Sequence, residues 1–192
     1  DDICSVPKET AAECVCIDFT TPTAFRENYR FIAESFKAAV VGTTGWNDIE
    51  DEVVECFRKC GTTMIYASNF SVGVNVLYAA VALLSEKLGA VGGYMPYIIE
   101  MHHIHKLDAP SGTAKSIAEI VNAGMGGDVS VQSVRCGEIP GIHTVGFEGL
   151  NDRITISHEA FSRVGLAQGA VYAATLTETL SGVHRFQDLI TA

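Results

Sequence analysis

No uninterrupted apolar stretch in the 192-residue sequence reaches the roughly 18 residues that a membrane-crossing helix needs. The nearest approach, Val72–Leu84, is broken by Asn75 and closed by Glu86 and Lys87. A basic-then-apolar leader is lacking, and so is an initiator methionine, so the chain reads as a fragment or a processed form. Basic charge is scarce: 13 Lys and Arg stand against 23 Asp and Glu, a net charge of −10. Such a surface repels a phosphate backbone, which sets nucleic acid aside as a partner. The six cysteines (Cys4, Cys14, Cys16, Cys56, Cys60 and Cys136) come with no export signal, so a disulfide framework is not expected. Cys56 and Cys60 are one helical turn apart and could share a metal, yet no second pair at ligand spacing supports one; free thiols are the expectation. Internal repeats and low-complexity linkers are missing too.

What is present is apolar mass. A hydrophobic fraction of 47% against 19% charged residues supports a sizeable core and argues against disorder. The length allows one ordinary domain or two small ones.

Cys14–Phe19 is a short apolar run, followed by Thr20-Thr21-Pro22 and a helical stretch to about Phe36. Ala38–Val41 is the next run, closed by Gly42-Thr43-Thr44-Gly45; Asp48–Lys59 then places Ile49, Val53, Cys56 and Phe57 on one helical face. Met64–Ala67 is a third strand. This strand–helix rhythm predicts a parallel α/β sheet. After Phe70 the pattern changes. Val72–Leu88 is apolar nearly all round, as in a helix between layers, and Tyr97–Met101 is a strand leading to a helix at Gly112–Ala123. Val129–Arg135, His143–Glu148 and Arg153–His158 read as strands, the last two joined by a turn at Gly149–Asp152. A helix over residues 167–180 precedes a short tail. The second half is thus an α+β layer with mostly antiparallel strands.

Polar chemistry concentrates in His102-His103-Ile104-His105-Lys106-Leu107-Asp108-Ala109-Pro110-Ser111-Gly112-Thr113, which runs from a strand into a helix start. Ser111 and Thr113 suit a helix N-terminus, and Pro110 fits just before it. Free N–H groups and the positive end of the helix dipole attract an anion there, and Gly112 lets a ligand approach the backbone. Imidazoles, an ammonium and a helix N-terminus together suit a small molecule bearing carboxylate. A zinc site and a purely structural role are the alternatives, although adjacent His102 and His103 point to opposite faces of a strand, which disfavours zinc. The Gly42–Gly45 loop and Ala67-Ser68-Asn69-Phe70 close consecutive parallel strands, where α/β sheets bind nucleotides.

These segments together resemble the dihydrodipicolinate reductase (4-hydroxy-tetrahydrodipicolinate reductase) family. The likeness runs from Ile17-Asp18-Phe19-Thr20 through Val41–Gly45, Ala67–Asn75, Glu100–Ala114 and Pro140-Gly141-Ile142-His143 to His158–Arg163. It implies a partial Rossmann-like unit, residues 1–70 with 164–192, and a substrate-binding and tetramerisation domain at 71–163. It also implies transfer of hydride from NADPH or NADH to a cyclic dicarboxylate, in diaminopimelate and lysine biosynthesis, by a cytoplasmic homotetramer. By similarity His102 is the acid that protonates the ring and Lys106 its proton-donating or electrostatic partner. His103, Ser111, Gly112 and Thr113 would hold substrate carboxylate. Gly42, Thr43, Thr44, Ala67, Ser68, Asn69 and Phe70 match cofactor-contacting positions. The family's opening strand, G-x-x-G-x-M-G turn and helix do not occur in the 16 residues before Ile17. Their absence is expected to leave the strands at 14–19 and 38–41 short of sheet neighbours and to weaken cofactor binding. A non-catalytic homologue that binds a dicarboxylate or serves as an oligomeric scaffold is the competing reading.

Overall fold

The computed structural model describes residues 3–190, which divide into two units with one sheet each. The first takes in the chain up to Ser71 and resumes at Leu166; the second is Val72–Gly165.

In the first unit a short helix α1 (Lys8–Ala11) leads into β1 (Val15–Asp18), α2 (Pro22–Ser35) and β2 (Ala38–Val41). A 3-10 turn at Asn47–Ile49 then starts α3 (Glu50–Cys60), and β3 (Thr63–Tyr66) follows. Local chemistry sets these boundaries. Thr21 caps α2 by accepting the Ala24 N–H at 3.2 Å, with Pro22 in the first turn. In α3, Glu50, Asp51 and Glu52 crowd the first turn while Arg58 and Lys59 lie in the last, matching the helix dipole. The strands pair in parallel in the order β1-β2-β3-β8, where β8 (Val183–Arg185) comes from the tail. All four residues of β2 are buried, as befits a strand covered on both faces. One face packs Phe25, Ile32, Val53 and Phe57 over Ala39, Val41 and Met64. The other packs Phe70, Ala170, Ala173 and Phe186 against Val40 and Ile65.

The tail adds two elements, and one expectation is corrected. The tail holds β8 and helix α7 (Phe186–Ile190), which no strong periodicity in so short a segment announces. The sheet ends in β8 on one side, and β2 has neighbours on both of its own, so of the two strands expected to be short of neighbours only β1 has an open outer edge among the described residues. Ile17 and Phe19 stand beside that edge, 44% and 53% exposed.

The second unit runs α4 (Val72–Val91), β4 (Met95–His102), α5 (Gly112–Met125), β5 (Ser130–Arg135), β6 (Ile142–Glu148) and β7 (Arg153–Glu159). Helix α6 (Val164–Leu176) then returns to the first unit. Its sheet is mixed, in the order β5-β4-β6-β7: β4 and β5 are parallel through the α5 crossover, and the other two pairs are antiparallel. Val74, Leu77, Tyr78 and Val81 of α4 join Ile117 and Val121 of α5 over Ile98, Val145 and Phe147. By length and composition α4 is apolar enough to cross a membrane, but here one face lies in this core and Asn75 and Ser85 are buried with it. The far face of the sheet carries Met95, Tyr97, Ile99 and Met101 of β4, with Met95 74% exposed. The strand also runs longer than the apolar run alone predicts, and the extra residues carry His102 to its end.

Candidate active site

β4 supplies the centre of the site. Alternation along a strand puts Ile98, Glu100 and His102 on the core face. Cross-strand register places Ser133 and His143 beside Glu100, Arg135 beside His102 and His158 beside His143. One sheet face thus gathers three histidines, a carboxylate and a guanidinium.

Glu100 is fully buried. Arg135 grips it with both terminal nitrogens, Nη1 donating to Oε2 at 3.0 Å and Nη2 to Oε1 at 2.8 Å. Burial alone would raise the carboxyl, but Arg135, Ser133 and His102 outweigh it and hold it at about 2. His102 turns Nδ1 onto Glu100 Oε2. Its imidazole lies below the ordinary histidine range: burial disfavours the cation, Glu100 opposes that, and Lys106 and Arg135 add to it. The His102 Nε2 faces Gly141, where an added Cβ would come within 3.0 Å of it. Only a glycine leaves the ring that much room. His143 stacks edge-on to His102 with centroids 5.1 Å apart, and its Nε2 lies 3.1 Å from Ser111 Oγ. Burial, with His102 nearby, pushes His143 down to about 4.

The helix start beside this row is built as its sequence implies. Ser111 caps α5, its hydroxyl accepting the Ala114 N–H at 3.2 Å, and its own N–H points to Glu100 Oε1 at 3.4 Å. Gly112 is exposed with nothing within 4 Å of where a Cβ would be, so its backbone can be approached. Lys106 binds the Asp108 carboxylate at 2.7 Å. Asp108 is held below the usual carboxylate range chiefly by that lysine, with the Gly112 N–H contributing. An internal carboxylate thus already uses a cation and a backbone donor here. His103 donates its backbone N–H to the Ile139 carbonyl at 2.8 Å, and its Nδ1 is buried without a hydrogen-bond partner among the described residues. Its ring is 6.1 Å from that of His105.

The structure brings His102, Lys106 and Ser111 together around Glu100 and Asp108, and ties the backbone of His103 to the 137–139 segment. It adds four residues to which the sequence reading gave no role: Glu100, Arg135, Gly141 and His143. A signal for Glu100 existed, since a carboxylate two residues before His102 on a strand must share its face. Among the described residues, no group of three or more His, Cys, Asp and Glu is placed to hold a metal ion.

The other candidate residues lie in the first unit, at the carboxyl ends of β1–β3. Asp18 accepts the Thr20 N–H at 3.2 Å and takes the hydroxyls of Thr20 and Thr43. Trp46 Nε1 donates to the Thr43 carbonyl at 2.6 Å. Gly42 lies under the Phe19 ring, which would be 2.2 Å from an added Cβ. Asn69 Oδ1 accepts the Ser71 N–H at 2.8 Å, folding the loop after β3. Thr44 and Ser68 are exposed, and Gly42, Ala67 and Asn69 are half-buried. The side chains of Thr43 and Phe70 are buried, Phe70 within the core, so a ligand would meet those two through the backbone.

Two family models match the chain: "Dihydrodipicolinate reductase, N-terminus" over residues 1–70 and "Dihydrodipicolinate reductase, C-terminus" over 73–190. Curated proteins similar to it are named 4-hydroxy-tetrahydrodipicolinate reductase. The one from Methanococcoides burtonii is 36% identical over 98% of this chain and 77% of its own length. That from Christiangramia forsetii is 37% identical over 92% of this chain and 79% of its own. Among solved structures, a dipicolinate-bound dihydrodipicolinate reductase from Paenisporosarcina sp. TG-14 superposes with a TM-score of 0.80. It is 22% identical over 91% of this chain and 73% of its own, and shows the shared fold.

Proposed function

The chain belongs to the dihydrodipicolinate reductase family, and from that premise we infer that it reduces 4-hydroxy-tetrahydrodipicolinate to tetrahydrodipicolinate with NADPH or NADH, in diaminopimelate and lysine biosynthesis. The similarity favours the enzyme over a non-catalytic scaffold. The observation that carries the reading for this chain is one polar row: Glu100, His102 and Ser111 meet at the end of β4, beside the open backbone of Gly112.

The substrate is a cyclic dicarboxylate, and an acidic chain needs local positive charge to hold it. One carboxylate takes the Gly112 and Thr113 N–H groups, with Ser111 fixing the helix start and His103 and Lys106 supplying positive charge or N–H donors. Lys106 and the Gly112 N–H leave Asp108 to do so. Both partners of the Lys106–Asp108 pair are partly exposed, so giving up that pair costs about 1 kcal/mol or less. His102 protonates the ring, and Lys106 assists electrostatically. Burial keeps the free imidazole largely neutral at pH 7, and the arriving dianion favours the imidazolium that donates.

The carboxyl ends of β2 and β3 fit a nicotinamide nucleotide. Small side chains at Gly42, Thr44, Ala67 and Ser68, with Asn69 and the backbone of Thr43 and Phe70, would hold it. When bound, that cofactor supplies the hydride. We also propose a cytoplasmic homotetramer, as the family resemblance implies; the apolar outer face of the second sheet supports association.

Oxidation of NADPH and of NADH, followed by absorbance with freshly generated substrate, tests the reading. Consumption of reductant should depend on the substrate and fall by about 10²-fold or more in His102→Ala, as loss of a general acid does. Substrate-independent consumption, or full activity in His102→Ala, would contradict it.

A further inference from the structure

We propose that Glu100, clamped by Arg135, is the positioning residue that keeps the His102 proton on Nδ1 and so makes Nε2 the nitrogen that exchanges a proton with substrate. The proposal rests on the reductase reading and adds to it the group that aims the acid.

Glu100 and His102 are two apart on β4 and share its inner face, with Oε2 against Nδ1. An ionised carboxylate can only accept hydrogen bonds. Arg135 keeps it ionised by donating to both oxygens, at 2.8 and 3.0 Å, and the Ser111 N–H adds a third donor at 3.4 Å. The carboxyl's depression to about 2 agrees with that. The ring must then meet Glu100 with an N–H in both of its charge states. Nε2 is left as the variable nitrogen, and it faces the space that Gly141 leaves open.

The groups around His102 come from several elements: Glu100 on β4, Arg135 on β5, His143 on β6 and Lys106 in the loop after β4. Of these only Glu100 touches Nδ1. Arg135 also donates to the carbonyls of Val134 at 2.9 Å and Asp108 at 2.6 Å. The clamp is thereby anchored to the loop that carries Lys106. In the donation step the Nε2–H bond of the imidazolium breaks and its proton passes to the substrate ring. A neutral imidazole with Nδ1–H remains, and solvent restores the lost proton. A buried ion pair that only staples β4 to β5 would place no demand on the tautomer, and this separates the two roles.

The test is ¹⁵N NMR of the whole chain labelled in histidine, with His102 assigned by loss of its signals in His102→Asn. In the unsubstituted protein the neutral ring should carry its proton on Nδ1. In Glu100→Gln the amide can donate to Nδ1, so a population with the proton on Nε2 should appear, while Glu100→Asp should restore Nδ1–H. Turnover in Glu100→Gln should fall by roughly ten- to a hundredfold with KM changed by less than about threefold. A neutral wild-type ring protonated on Nε2 would overturn the proposal, and so would an unchanged tautomer in a folded Glu100→Gln. The wild-type spectrum decides the matter even if that variant does not fold. If the tautomers behave as stated but the chain reduces no substrate, the reductase reading fails and the placement of His102 stands.

Discussion

A side chain's chemistry here is set by what it faces more than by what it is. His102, His143 and His158 share one sheet face, yet only His102 has a carboxylate on its ring nitrogen. His143 is buried beside a cation-capable neighbour, and burial holds it down at about 4 against an ordinary value of 6.5. A histidine lowered in the folded state binds fewer protons there than in the unfolded chain. Its stabilisation is therefore complete above about pH 6.5, declines as pH falls, and is gone below about pH 4, a difference of about 3 kcal/mol. Denaturant unfolding from about pH 7 down to about pH 4.5 should thus show a steeper loss of stability in the wild type than in His143→Gln. Equal slopes would mean that His143 titrates normally. The histidine–lysine cluster was legible because cations are rare in so acidic a sequence. Its supports were not: Arg135 lies 35 positions from Glu100, and only the β4–β5 register brings them together.

At the scale of elements, periodicity and capping chemistry carried most of the information. Pro22 after Thr21, and Ser111 before an apolar-periodic helix, are local signals, and both caps form. Strand ends were less legible. The apolar run Tyr97–Met101 marks the middle of β4, but the strand extends from Met95 to His102 because its ends pair with β6 and β5. Polar residues at a strand end look like loop until the partner strand is known. The tail strand β8 escaped for the same reason, since three residues with Val183 alone apolar acquire strand structure only against β3. Ser111 joins two elements, capping α5 and meeting His143 of β6. Ser111→Ala removes both bonds and should cost about 1–3 kcal/mol in a chemical denaturation experiment. A change within about 0.5 kcal/mol would show that the cap is replaced by water.

For the whole molecule, the change from parallel to mixed pairing after Phe70 was visible as a change in pattern, because buried parallel strands read as continuous apolar runs and half-exposed ones alternate. Pairing order across sequence-distant strands has no such signature. The face bearing Met95, Tyr97, Ile99 and Met101 is where we place subunit contacts. Sedimentation at micromolar concentration should accordingly give a tetramer; a monomer would place the contacts elsewhere or remove them. The central claim, that the end of β4 and the start of α5 form a site for a cyclic dicarboxylate, has a direct test that needs neither cofactor nor turnover. Pyridine-2,6-dicarboxylate titrated calorimetrically into the chain should bind once per chain. Binding should weaken by roughly ten- to a hundredfold in Lys106→Ala, the loss of one charge pair in a partly dry site. No measurable binding, or binding indifferent to Lys106→Ala, would contradict the claim.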